Sequence, residues 1–212
     1  MKKFLCIFLS VLILILCVGC YLFKNSSINK WTPLTLPDEI QNDLSAVEGE
    51  VIEFKILGYV NRENDFKLIS NFRQIETIKA YRSSWQYPWV SSYSSNLATE
   101  VQTYDISELR KIDFSRYYLL LCPIRYSSSD KGFDGEPLIR LLNRDNELYY
   151  VVQSDWHGGD MNLDIQYIGA LILVKKADWP FGEDISYAKP LVYNKNHKDV
   201  GACYYSSKSV FK

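Results

Sequence analysis

The chain predicts an α+β fold, mainly an antiparallel β-sheet with one or two short helices packed on it. Three observations lead there. Residues 117–125 (YYLLLCPIR), 136–142 (EPLIRLL), 147–154 (ELYYVVQS) and 165–176 (IQYIGALILVKK) are short runs rich in β-branched and aromatic residues. Clusters of Gly, Asn, Asp and Ser at 127–135, 143–146 and 155–164 separate them, the pattern of consecutive antiparallel strands. Upstream, residues 51–60 (VIEFKILGYV) alternate, with Ile52, Phe54, Ile56 and Gly58 on one face and Glu53 and Lys55 on the other, as in a half-buried strand. After a short strand at 65–69, Phe72, Ile75, Ile78 and Tyr81 recur at helical spacing behind Ser70, an expected N-cap.

The N-terminus reads as a leader. Lys2 and Lys3 precede the apolar run 4–23, interrupted only by Ser10, and Lys24 and Asn25 end it. A basic start followed by an apolar stretch marks export, and about 20 apolar residues also suffice to cross a bilayer. Cys17-Val18-Gly19-Cys20 resembles a bacterial lipobox, with Cys20 as the lipidated residue and Cys17 where an aliphatic residue is usual. Three outcomes stand: a lipoprotein, an uncleaved single-span anchor and a released protein. Each puts the domain outside, exported and, in the first two, attached to the membrane through the N-terminus. Residues 1–24 are the leader, 25–46 read as a linker with a helical turn near Pro37, and 47–212 as the extracytoplasmic domain.

Charge narrows the partners. Without Lys2 and Lys3 the balance is 22 basic to 25 acidic side chains, with no basic run, so nothing in it favours nucleic acid. Within the domain the cysteines are Cys122 and Cys203, expected as two free thiols, Cys122 buried in its strand. Residues 83–99 carry no charge and hold Trp85, Tyr87, Trp89 and Tyr93. Such a loop either covers an open edge of the sheet or serves as a binding surface for sugars or a protein. Asp105 and Glu108 have capping-box spacing for a short helix ending near Ile112. Residues 178–212 are expected to add one edge strand and a loose end.

The order of elements from Phe66-Lys67-Leu68-Ile69-Ser70 through Ile112-Asp113-Phe114-Ser115-Arg116-Tyr117-Tyr118-Leu119, the glycines Gly132 and Gly135, and Val174-Lys175-Lys176 resembles the PrcB-like domains of bacterial lipoproteins. The family is named for a subunit that stabilises a surface protease complex. The resemblance spans about residues 66–176 and implies a non-enzymatic extracytoplasmic domain, with no catalytic residues to carry over.

The residues offer little independent chemistry. Asp155, His157 and Asp160 crowd a Gly-Gly turn, but a metal site needs three or four converging ligands. A solvated hairpin turn is the expectation, a loose oxygen-donor cation site the alternative. His157 and His197 are the only imidazoles and no Gly-x-Ser-x-Gly elbow occurs, so no hydrolytic triad is visible and no cofactor is expected. The expected function is a non-catalytic, surface-anchored module that binds another extracytoplasmic protein. The alternative is an envelope glycan-binding protein or glycan hydrolase with Trp85 and Trp89 as sugar platform and two unidentified carboxylates as acid and base.

Overall fold

The structure is a computed structural model and describes residues 26–61, 65–75, 106–127, 138–154, 165–194 and 198–202, with residues 8, 9 and 11–13 of the N-terminal run. Among these, nine strands form two sheets: β1 Glu50–Ile52, β2 Lys55–Asn61, β3 Lys67–Ile69, β4 Tyr117–Ser127, β5 Leu138–Arg144, β6 Glu147–Ser154, β7 Ile165–Lys175, β8 Lys189–Asn194 and β9 Asp199–Ala202. One sheet has the order β1-β5-β6-β8-β9 and the other β2-β7-β4-β3. All pairs are antiparallel except β6 with β8. Short helices α1 Asp38–Asp43, α2 Phe72–Ile75 and α3 Ile106–Leu109 complete a β-rich α+β fold.

The expected strands form, but they are divided between two sheets. A two-residue turn joins β5 to β6 through Asp145 and Asn146, both at positive φ (56° and 60°), the backbone of a tight hairpin. By contrast, β4 pairs with β7 over its whole length, from Tyr117 opposite Lys175 to Ser127 opposite Ile165. The alternating run 51–60 is likewise split. β1 pairs with β5 and β2 with β7, so the chain changes sheets at Glu53–Phe54. Its apolar face survives the split, because Ile52, Phe54 and Ile56 all enter the core between the sheets. Leu57 is an extra residue in β2, and Gly58 beside it has φ 145°, a backbone that side chains other than hydrogen disfavour.

Strand alternation then distributes the burial. Tyr118, Leu120, Cys122 and Ile124 of β4 and Ala170, Ile172 and Val174 of β7 meet Leu138, Leu141, Leu148, Tyr150 and Val152 of the facing sheet. The Tyr150 hydroxyl crosses the gap and donates to Pro123 O at 2.5 Å. The other side chains of β4 and β7, Tyr117, Leu119, Leu121, Leu171 and Leu173, pack outward against Ile75 of α2, Leu109 of α3, Ile112 and Ile28. On the outer face of the β1-β5-β6-β8-β9 sheet, Ile139, Leu142, Val151, Leu191 and Tyr193 pack against Leu36, Ile40 and Leu44. Apolar residues on both faces explain why β4 and β7 read as nearly continuous apolar runs.

Several local expectations change. Asn71, not Ser70, caps α2: its Oδ1 accepts from the backbone N–H of Arg73 at 3.1 Å and Gln74 at 3.3 Å, and Gln74 Oε1 accepts from Ser70 N at 2.7 Å. Ile75 is buried, whereas Phe72 is 55% exposed, since a single helical turn has few inward positions. Ile78 and Tyr81 lie outside the described residues. After Asp178 the chain adds two strands rather than one, and β8 is an interior strand beside β6.

The largest correction concerns residues 25–46. Far from a linker, residues 26–46 form a strap around one side of the sandwich. A 3-10 turn, Ser27–Asn29, buries Ile28 on the outer face of the β2-β7-β4-β3 sheet. Leu34 then crosses the side where β1 gives way to β2, and its N–H donates to Phe54 O at 2.8 Å. Beyond Pro37, α1 lays Ile40 on the outer face of the other sheet, followed by fully buried Leu44. Polar bonds fasten both ends. Asn29, buried, donates to Lys111 O and accepts from Asp113 N, each at 2.8 Å, while its carbonyl accepts from the Tyr117 hydroxyl at 3.1 Å. At the far end Tyr193 donates to Asp43 Oδ2 at 2.5 Å and Arg140 Nη1 to Leu44 O at 2.7 Å.

Lys55 completes the fastening. Expected on the solvent face with Glu53, it is only 6% exposed. Its ammonium donates to the carbonyls of Ser27 (3.1 Å), Ile28 (3.1 Å) and Lys30 (3.0 Å). These acceptors are carbonyls of the 3-10 turn and of Lys30, the residue that ends it. Burial, then the neighbouring Lys30 charge, pulls the amine down to about 8 from its ordinary 10.5.

Leu44→Ala should cost about 2–5 kcal/mol, the usual range for truncating a buried leucine, when unfolding is followed in urea; a plain tether would show no change. Between about pH 8 and 10.5 the unfolded chain keeps a proton on Lys55 that the folded chain has released, so stability should rise with pH in that window. Comparing urea midpoints at pH 7.5 and 9.5, the rise should be smaller in Lys55→Met than in the unmodified chain.

Candidate functional site

Most sequence-derived candidates fall outside the described residues: Trp85, Tyr87, Trp89 and Tyr93, the group Asp155, His157 and Asp160, and both Cys20 and Cys203. Cys122 is described, and it is a free thiol with no exposed surface. Burial pushes its pKa far above the ordinary thiol value, so it packs as a small apolar residue and not as a nucleophile. Among the described residues, no three His, Cys, Asp or Glu side chains gather to hold a metal, and no helix is long and apolar enough to cross a membrane.

The register defines the two ends of the sandwich. At one end Ser127 faces Ile165, Leu138 faces Val152, Ser154 faces Asn194, and Asn194 faces Asp199. The other end carries the start of β4, the β5–β6 turn and the start of β8, and here polar and aromatic side chains converge.

The most organised surface cluster lies on the outer face of the β1-β5-β6-β8-β9 sheet. Parallel pairing sets Lys189 of β8 beside Tyr149 of β6, and the hairpin sets Arg144 opposite Glu147. The Tyr149 ring lies between two cations, with Arg144 Cζ 4.3 Å and Lys189 Nζ 5.5 Å from its centroid. Its hydroxyl donates to Glu147 Oε2 at 3.0 Å, and Lys189 reaches the same oxygen at 2.5 Å. Tyr187, 47% exposed, donates to Glu147 Oε1 at 3.5 Å. One carboxylate therefore braces a lysine and two tyrosines. The Lys189 ammonium, then the Tyr149 hydroxyl, hold the Glu147 carboxyl below its ordinary range, and Glu147 in turn raises Lys189. Across β5, on the outermost strand β1, Val51 adds an exposed apolar side chain.

A second aromatic group serves packing. Trp179 meets Tyr118 and Phe181 edge-on, with centroids at 6.0 and 5.0 Å, and closes the core between the sheets. Burial, then the hydrogen bond to Glu183, raises the Tyr118 hydroxyl. The sequence does not mark the place of Lys189 in the Tyr149 cluster, because Lys189 reaches it only through a parallel pairing across an intervening strand of the other sheet.

Comparison with protein-family models, curated proteins and solved structures finds no match to this chain.

Removing the lysine should release the carboxylate: in Lys189→Ala the Glu147 side-chain titration, followed by NMR of the carboxyl carbon, should move up toward the ordinary glutamate range. An unmoved midpoint would show that the brace is not electrostatic.

Proposed function

We propose that the chain is an exported domain, anchored at the membrane by its N-terminal segment, that works by binding another extracytoplasmic protein and not by catalysis. The observation that carries this reading is the braced surface around Tyr149. Tyrosine and arginine are the side chains over-represented where proteins meet. Here Tyr149, Tyr187, Arg144 and Lys189 are held by one another and by Glu147 before any partner arrives. Side chains already fixed lose little freedom on binding, so more of the contact energy appears as affinity. The leader pattern of residues 1–24 and the resemblance to PrcB-like domains support the same reading. So does the use of the buried polar residues Asn29 and Lys55, whose bonds to backbone groups hold the strap in place.

The test is a photo-crosslinking residue in place of Tyr187, carried by the full chain and irradiated in intact cells. A discrete protein adduct is expected at position 187 and not at exposed Asp65, and Arg144→Glu with Lys189→Glu should reduce its yield several-fold. No adduct, together with turnover of cell-wall glycan by the purified protein, would replace this reading with the hydrolase.

A further inference from the structure

We propose that the surface around Ser26, built from Lys30, Trp31, Arg116 and Lys175, rests against the phospholipid headgroups of the membrane that anchors the chain. The inference rests on the export-and-anchoring reading above and adds an orientation to it. Its first ground is the length of chain between the apolar run and the fold. Ser26 is the third residue after Phe23 and the sixth after Cys20. Six residues span at most roughly 20 Å when fully extended. Since Ile28 is buried in the sandwich and Asn29 is bonded to Lys111 and Asp113, the fold begins almost where the leader ends. No flexible spacer remains to let the domain turn freely.

The second ground is the chemistry of the side chains at that point. Trp31 stacks on Tyr117 with centroids 5.8 Å apart and planes 7° from parallel, and Lys175 Nζ lies 4.7 Å from the Trp31 centroid. Arg116 lies over the Tyr117 ring at 5.2 Å. Tryptophan beside lysine and arginine is the combination favoured at the bilayer interface, where rings sit among headgroups and cations meet phosphates. Glu53 and Asp178 take up Lys175. Lys30 and Arg116 are both exposed, where their charges can meet phosphate oxygens.

The orientation follows from the register. Tyr117 and Lys175 mark one end of the long β4–β7 pair, and its other end, Ser127 opposite Ile165, lies ten residues farther along β4. At about 3.3 Å per residue that end stands roughly 33 Å farther out. The Tyr149 cluster lies at the same end of the sandwich but on the outer face of the opposite sheet, so it faces sideways from the bilayer-facing surface.

The test uses the full chain, isolated from membranes and returned to vesicles of phosphatidylglycerol and phosphatidylcholine. A membrane-impermeant amine reagent is applied and lysine modification is read by mass spectrometry. Lys30 should be modified several-fold less in vesicles than in detergent, while Lys198, exposed at the far end of β8, should not change. A spacer of twenty Gly and Ser residues between Asn25 and Ser26 should weaken the protection of Lys30, and Arg116→Glu with Lys175→Gln in the spaced chain should abolish it. Equal modification of Lys30 and Lys198 in a chain that sediments with the vesicles would overturn the orientation and leave the anchoring intact. A chain that never sediments with cell membranes would instead remove the anchoring reading itself.

Discussion

Strands that are apolar on both faces impose one demand on this fold. Packing the sheets together satisfies two faces and leaves two outer faces that must be covered by chain outside the sheets. The helices α2 and α3 cover part of one, with Ile75 and Leu109, and the strap at 26–46 covers parts of both. That is why a buried amide and a buried ammonium are found on its course. A segment lying over a sheet cannot continue the ladder, so its carbonyls need other donors, and Asn29, Lys55, Tyr117 and Arg140 supply or receive those bonds. Gly49, where the chain turns from the strap into β1, has φ 131° and runs so close to β5 that an added Cβ would sit 3.2 Å from Asn143 O.

The sequence shows the strands far better than their arrangement. Periodicity reports which side chains share a face, and Ile52, Phe54 and Ile56 do share one although they span two sheets. Periodicity does not report what covers the opposite face. Lys55 alternates with apolar neighbours and so looks solvent-facing, and only the strap, 25 to 28 residues earlier in the chain, makes its position an interior one. The strap itself was hidden because its apolar residues, Ile28, Leu34, Leu36, Ile40 and Leu44, are spaced irregularly among prolines and polar residues. They lie in extended chain, 3-10 turns and one short helix in turn. Strand partners were equally hidden, since ten-residue connections do not dictate whether the next strand pairs with the last.

The same limit applies to the surface cluster. Glu147 and Tyr149 are two apart on one strand and so share a face, which is legible. Arg144 is brought in by a turn whose Asp-Asn pair is also legible. Lys189, which sets the charge balance at Glu147, comes from forty-two residues away through a parallel pairing that no local pattern announces. Its consequence is a surface in which like and unlike charges are fixed at known separations, so a partner would be selected by geometry as well as by area.

The strap also governs the order of events when the chain folds. It is made first, yet Asn29 waits for Lys111 and Asp113, more than eighty residues on, and Asp43 waits for Tyr193, 150 residues on. Contacts between such distant residues close large loops and are slow to form. Nearly the whole chain must therefore emerge before the sandwich can be tied. Until then the segment just behind the N-terminal apolar run has no native surface to pack on.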